Sequence, residues 1–278
     1  MADPNARVIL CTGANRGIGF AIVQALASHP DTANSVLLLG CRDANKGEEA
    51  IDQLRHSLDA GGSGGIASQL RVVTLDVTSD ASIRAAVEEI DAKHGRLDVL
   101  INNAGYAAIP SAEDSAEDWR DVYARVYDTN VTSVALTMRF FLPLLRKSSF
   151  PSSSSTEGRG GGGGGKIINV SSARGSVTLS ATGVLPPTVS IPYSLSKTAL
   201  NMLTVEMSRD PLNKDLEFHL VSPGHCKTAF NGFRGTRDPL EGANVVVELV
   251  RNTEKGRFKN AGFWETKGAS RDLVEIPW

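Results

Sequence analysis

Short apolar runs alternate with helix-forming stretches along most of the chain, and this alternation restricts the fold more than any other feature. Arg7–Thr12, Ser35–Gly40, Leu70–Leu75, Leu97–Ile101, Lys166–Val170 and Leu216–Val221 are short runs rich in Val, Ile and Leu. Between them the spacing predicts helices over Gly17–Ser28, Ala44–Leu58, Ala81–Lys93, Pro192–Arg209 and Asp238–Val250. Glu117–Arg146 reads as one long helix, and Gly262–Trp264 as a seventh, edge strand. A strand that is apolar on both faces must be covered on both faces. Strands of this kind separated by helices predict a doubly wound parallel α/β sheet. The 278 residues suffice for one such domain, residues 1–278, and no shift in composition marks a second.

The bulk properties exclude several classes. A formal charge of −2 creates no positive field for nucleic acid or anionic lipid. No apolar run approaches the roughly 18 residues that a membrane span needs. The N-terminal residues carry no apolar leader segment, so no signal peptide is expected. Cys11, Cys41 and Cys226 have no metal-ligand spacing, and so few thiols suit a reducing compartment, which gives a cytoplasmic expectation with no metal. Two low-complexity stretches interrupt the pattern. Gly61–Gly65 precedes the third strand, and residues 148–165, with six consecutive glycines from Gly160, precede the fifth. Both are expected to be surface loops, the second at the end of the sheet away from any ligand.

The turn after the first strand reads Thr12-Gly13-Ala14-Asn15-Arg16-Gly17-Ile18-Gly19. Gly13 permits a tight turn, and Gly17 and Gly19 let backbone approach a diphosphate at a helix N-terminus. With Asn15, Arg16 and Ile18 between them, these residues form a candidate dinucleotide site on a Rossmann-type sheet. The Gly-x-x-x-Gly-x-Gly spacing differs from the commoner Gly-x-Gly-x-x-Gly. An NAD site usually carries an acid about 20 residues further on, bonded to the ribose. Here that region reads Leu39-Gly40-Cys41-Arg42, with no acid before Arg42. Arg16 and Arg42 suit a 2′-phosphate, so NADPH/NADP+ is the expected cofactor. Asp43 could oppose this by reaching the ribose itself. Asp76 and Val77 end the third strand, where a carboxylate can accept from the adenine amine.

Far downstream, Tyr193-Ser194-Leu195-Ser196-Lys197 places a phenol and an ammonium one helical turn apart. Hydride transfer to a carbonyl leaves negative charge on oxygen, which must be protonated. Free tyrosine titrates near ~10, and a neighbouring ammonium should lower that value. Pro192 suits the first turn of the helix. A serine hydroxyl at the end of the fifth strand can hold the carbonyl oxygen beside the phenol.

Thr12–Gly19, Asn102–Gly105, Asn130, Ser171-Ser172, Tyr193–Lys197 and Pro223-Gly224 with Thr228 occur in one order over residues 12–228. In this the chain resembles the short-chain dehydrogenase/reductase family. Pro223–Thr228 and Trp278 look similar to its carbonyl-reductase branch. The resemblance implies that Ser172 positions the carbonyl while Ser171 points into the sheet. It implies that Asn130 holds a water bonded to Lys197 in a proton relay, and that Lys197 also bonds the nicotinamide ribose. Asn103, Ala104, Gly105, Tyr193, Lys197, Pro223, Gly224, Cys226 and Thr228 join the expected cofactor contacts. Cys226 is expected to offer its backbone N–H to the carboxamide, and Thr228 to contact the carboxamide or the diphosphate.

Twenty positions separate Ser172 from Tyr193, more than the dozen or so that are common in the family. This stretch, with Val184 and Leu185, should shape the substrate pocket together with Tyr106, His225, Phe230 and Phe233. Ala229–Gly242 reads as a lid. Family members usually pair through the helices that here hold Glu117–Arg146 and Pro192–Arg209, which leaves a dimer or tetramer open. The expected activity is NADPH-dependent reduction of a small to medium, mainly apolar ketone or aldehyde to an alcohol. The alternatives are an NAD-dependent alcohol dehydrogenase working oxidatively, a retired dinucleotide-binding scaffold, and a reductase whose pocket also guides a non-redox step.

Overall fold

The computed structural model describes residues 6–32, 34–60, 69–109, 113, 115–148, 164–268 and 271–278. The strands are β1 (Val8–Thr12), β2 (Val36–Cys41), β3 (Gln69–Thr74), β4 (Val99–Asn102), β5 (Lys166–Val170), β6 (Glu217–Val221), β7 (Gly262–Thr266) and β8 (Leu273–Glu275). They form one sheet in the order β3-β2-β1-β4-β5-β6-β7-β8. All neighbours are parallel except β7 and β8. The helices are α1 (Gly17–Ser28), α2 (Ala44–Ala60), α3 (Asp80–His94), α4 (Ala116–Tyr127), α5 (Ser133–Arg146), α6 (Val177–Ala181), α7 (Ile191–Arg209) and α8 (Pro239–Arg251). The doubly wound α/β expectation holds for this single domain.

Every residue of β1, β2, β4 and β5 is buried. Alternate residues feed two separate cores. Ile9, Leu37 and Leu39 pack with Ile22 and Leu26 of α1 and Val246 and Val250 of α8. Leu10, Leu38 and Leu100 pack on the other side with Met138 and Phe141 of α5. β3 exposes Arg71 and Thr74, as an outer strand can. Truncating a fully buried leucine such as Leu38 to alanine in such a core costs about 2–5 kcal/mol.

Two expectations about element boundaries are corrected. Glu117–Arg146 is not one uniform helix, because a π-helical turn over Asp128–Thr132 separates α4 from α5. β7 is not the edge: β8 pairs antiparallel with it and takes the edge position. A three-residue strand carries too little periodicity to be seen in sequence. Residues 61–68 lie outside the described residues, and so does the low-complexity stretch apart from Ser148, Gly164 and Gly165. Among the described residues no helix is long and apolar enough to cross a membrane.

The base of the sheet is fastened by buried charge. Asp98 accepts from the Val8 N–H at 2.8 Å, from Arg96 Nε at 3.2 Å and from Ser148 Oγ at 2.7 Å. Lys166 donates to the carbonyls of Leu249 and Asn252 at the end of α8 and lies 3.3 Å from Glu217. His219, on the same strand as Glu217, is 1% exposed; among the described residues neither ring nitrogen has a hydrogen-bond partner, and Nε2 lies 3.7 Å from the Glu217 carboxylate. Burial pulls its pKa down, and Glu217 only partly offsets this. The unfolded chain therefore binds a proton here before the folded one does, so stability falls as pH drops below about 6.5. His219→Leu should lose less stability than the wild type between pH 7 and pH 5. Urea midpoints that shift in parallel for both proteins would contradict this.

Candidate active site

The site lies at the C-terminal ends of the strands, where the strand order reverses between β1 and β4. Two loops leave that point in opposite directions, and Thr12 ties them together. Its hydroxyl accepts from the backbone N–H groups of Asn103 and Ala104, each at 3.0 Å. The Asn103 side chain donates back to the carbonyls of Thr12, at 2.8 Å, and Gly13, at 3.1 Å. Asn103 thus spends its amide N–H groups on shaping the glycine turn. Gly13 and Gly17 have left-handed φ of +64° and +60°. A Cβ on Gly19 would run into the Gly13 carbonyl and the Asn103 amide. A Cβ on Gly17 would meet nothing nearer than Thr228, at 3.8 Å, so the turn is open on that side.

These residues fit a dinucleotide. α1 begins at Arg16 with no capping side chain and no acid in its first turn. Its first N–H groups therefore lack a side-chain partner and can serve an anion. Buried Thr228 faces Gly17 from the opposite loop. Arg16 and Arg42 are exposed, and neither forms an ion pair among the described residues. Asp43, the residue that could read the ribose, instead caps α2: its carboxylate accepts from Asn45 N at 3.0 Å and Lys46 N at 3.3 Å. Asp76 makes a local turn, accepting from the backbone and hydroxyl of Thr78, and lies half-buried with Val77 at the sheet edge.

The chemical residues come from β5, α7 and the π turn. Ser171 Oγ is buried and donates to Asn201 Oδ1 at 2.6 Å, which leaves Ser172 half-open at the strand end. The Ser172 hydroxyl accepts from Arg174 N at 3.2 Å, and it is close enough to Tyr193 to favour the phenolate. Lys197 is 4% exposed, and its Nζ donates to the Val170 carbonyl at 2.8 Å and lies 5.6 Å from the Tyr193 ring centre. Gly175 lets this helix approach, because a Cβ there would press on the Lys197 backbone. The π turn, a common device at functional sites, brings Asn130 inward. Its amide pairs with both backbone groups of Tyr106, each at 2.8 Å, and donates to Ser196 Oγ at 2.9 Å. Both amide N–H groups are thereby committed, and Asn130 is held next to the helix of Tyr193 and Lys197.

The electrostatics differ from the sequence expectation in one respect. Burial pushes the Tyr193 phenol up to about 12, while the Ser172 hydrogen bond pulls the other way. Burial also pulls Lys197 down to about 8. The expected lowering of the phenol by the ammonium does not emerge: burial dominates both shifts. At neutral pH Tyr193 therefore carries its proton.

The other expected residues are placed as follows. Phe230, in a short 3₁₀ turn, sits with its ring centre 5.7 Å from that of Tyr193. Phe233 instead lines a cavity of about 420 Å3 with Arg16, Gly17, Phe20 and Thr228, on the α1 side. Val184 is 67% exposed and Leu185 half-buried in the segment between α6 and α7. That segment is tied to the loop after β4 by Ser190 Oγ, which donates to the Ala108 carbonyl at 2.6 Å. Tyr106 and His225 are exposed. The Cys226 thiol is buried, donates to the Pro223 carbonyl at 3.2 Å, and is pushed up to about 11, so it is no nucleophile. Its N–H is turned to the Gly224 carbonyl at 3.0 Å rather than outward. Sequence reasoning missed Arg237, which clamps the Pro223-Gly224 loop through the Pro223 carbonyl and reaches Thr266 Oγ1 at 2.6 Å. Nothing in its local sequence marks it. The Thr12 hydroxyl could have been found, as a polar residue ending an apolar strand just before a glycine. Among the described residues no group of acids, histidines or cysteines could hold a metal ion.

Comparison with known proteins agrees with this geometry. The short chain dehydrogenase family model matches residues 7–238. A short-chain dehydrogenase/reductase of Aspergillus fumigatus is 33% identical, covering 100% of this chain and 99% of the relative. Among solved structures, NADPH-bound carbonyl reductase from chicken fatty liver superposes with a TM-score of 0.70 at 29% identity, covering 93% of this chain and 95% of that one. The carbonyl reductase Sniffer of D. melanogaster gives 0.72 at 25% identity, covering 99% and 100%. The chain belongs to the short-chain dehydrogenase/reductase family.

Proposed function

We propose that this protein reduces a ketone or aldehyde of small to medium, mainly apolar type with NADPH. The observation that carries the reading is the grouping of Ser172, buried Tyr193 and buried Lys197 at the end of β5, with the Lys197 Nζ 5.6 Å from the Tyr193 ring centre. The bound nicotinamide would supply a hydride to the carbonyl carbon. Ser172 holds the carbonyl oxygen, and Tyr193 gives it a proton as the C=O bond becomes C–OH. Lys197 returns the proton to the phenolate and is itself reloaded through a water held by Asn130. Phe230 against Tyr193 supports a mainly apolar pocket.

The cofactor would lie along the glycine turn, with its diphosphate at the α1 N-terminus and its 2′-phosphate near Arg16 and Arg42. Asp43's use as a helix cap supports NADPH, and so does NADPH in the chicken carbonyl reductase structure. Fluorescence titration should show NADPH binding at least tenfold tighter than NADH, about 1.4 kcal/mol. Arg42→Gln should erase most of that difference while sparing NADH. Equal affinities in the wild type would overturn the cofactor assignment.

Tyr193→Phe should lower kcat by at least about a hundredfold while NADPH affinity stays within twofold. Turnover retained in this variant would remove Tyr193 as the proton donor. The Lys197 shift gives a separate test. Folded Lys197 releases its proton near 8, the unfolded residue near 10.4, so its contribution to stability rises with pH across that window. From pH 7.5 to 9.5 the wild type should gain about 2 kcal/mol relative to Lys197→Met. Parallel stability curves would show that Lys197 titrates as it does in water.

A further inference from the structure

Resting on the reductase reading above, we infer that Leu273–Trp278 is a strap that positions the substrate wall and so sets which carbonyls fit. The wall is the long segment between Ser172 and Tyr193. After a short 3₁₀ turn over Ala173–Gly175 comes α6, which has five residues and buries none of them. A helix of that length does not hold together by itself. Its first turn is held from outside. Ser176 Oγ accepts from Leu179 N at 3.1 Å and donates to the Pro277 carbonyl at 2.6 Å. Thr178 N donates to the Trp278 carbonyl at 2.8 Å.

The strap is in turn anchored to the sheet. β8 pairs with β7, Ile276 N donates to the Phe263 carbonyl at 2.7 Å, and the Ile276 side chain is 3% exposed. The Trp278 ring stacks on buried Phe263 with centres 5.9 Å apart and planes 25° apart. Such a stacked pair adds a modest, direction-specific attraction to its area burial. At its start the segment is fixed by Ser172 and by Gly175, whose carbonyl accepts from Thr198 Oγ1 and Asn201 Nδ2. At its end, Arg174 reaches the Pro186 carbonyl and Ser190 holds Ala108. Between these points the strap is the support that comes from the far edge of the sheet. Among the described residues no hydrogen bond or ring contact joins it to Tyr193 or Lys197, so it acts as a positioning element, through the placement of the wall.

The test uses two carbonyl probes of different bulk, benzaldehyde and 2-acetonaphthone, with NADPH. Trp278→Ala should change the ratio of their kcat/KM values by about threefold or more, chiefly through KM, since a small misplacement of a wall is enough for such an effect. NADPH affinity by calorimetry should stay within twofold, and Trp278→Phe should restore the ratio. Amide exchange at Thr178 and Leu179 should quicken in Trp278→Ala. Ser176→Ala, which loses one hydroxyl, should shift the ratio in the same direction and serves if the tryptophan variant fails to fold. An unchanged ratio with active enzyme, or unchanged exchange at Thr178, overturns the strap. A wild-type protein that reduces neither probe overturns the reductase reading instead.

Discussion

The Thr12 hydroxyl is the point on which the rest of this structure depends. A parallel sheet whose order reverses leaves a cleft between two strands whose following chains diverge, and nothing in the ladder closes it. Here one hydroxyl at the end of β1 accepts two backbone N–H groups from the loop after β4. The Asn103 amide then stitches the same loop to two carbonyls of the glycine turn. The turn that would meet a diphosphate and the loop that leads to Tyr106 are thus set by one small network. Tyr106 in turn fixes the Asn130 amide, and Asn130 fixes Ser196 on the helix of Tyr193 and Lys197. The cofactor end and the chemical end are connected through neutral hydrogen bonds, each with a partner. Neutral groups suit a buried connection, because an unpaired charge there would cost far more than an unpaired amide.

Burial governs the chemistry more strongly than proximity of charge. Tyr193 and Lys197 lie one helical turn apart, and spacing alone suggests mutual stabilisation of phenolate and ammonium. Desolvation acts on both in the opposite sense, raising one and lowering the other. When the phenol has given up its proton, its return from the Lys197 ammonium cancels both charges, and burial favours that neutral pair. That condition favours a relay over a standing ion pair.

The architecture was legible in the sequence because buried parallel strands leave an unmistakable composition. Ile9, Leu10, Leu37 and Leu38 are apolar without alternation, since each sheet face meets its own helices. The glycine turn and the Tyr193–Lys197 pair were legible because residue type and local geometry are coupled there: left-handed φ at Gly13 and Gly17, and a shared face four residues apart. What escaped was set by distant contacts. The π turn at Asp128–Thr132 has no compositional signature, and it breaks what reads as one continuous helix. Arg237 acts on residues 14 and 29 positions away through loop carbonyls and a hydroxyl. The dominance of burial over charge at Tyr193 likewise depends on how the chain packs, which a spacing of four does not contain.

The three thiols carry a consequence of a different kind. Cys11, Cys41 and Cys226 are all free and all buried, and burial raises each of them well above an ordinary thiol. Cys11 and Cys41 lie in the central strands, and Cys226 is packed against Gly242 in the first turn of α8. A thiolate is therefore scarce wherever the chain is folded, and electrophiles and peroxides find little to attack. The first two cysteines can be modified only when the central strands part, whereas the third needs only the packing of Gly242 against it to give way. The rate at which each sulfur becomes modified would therefore report a different extent of opening.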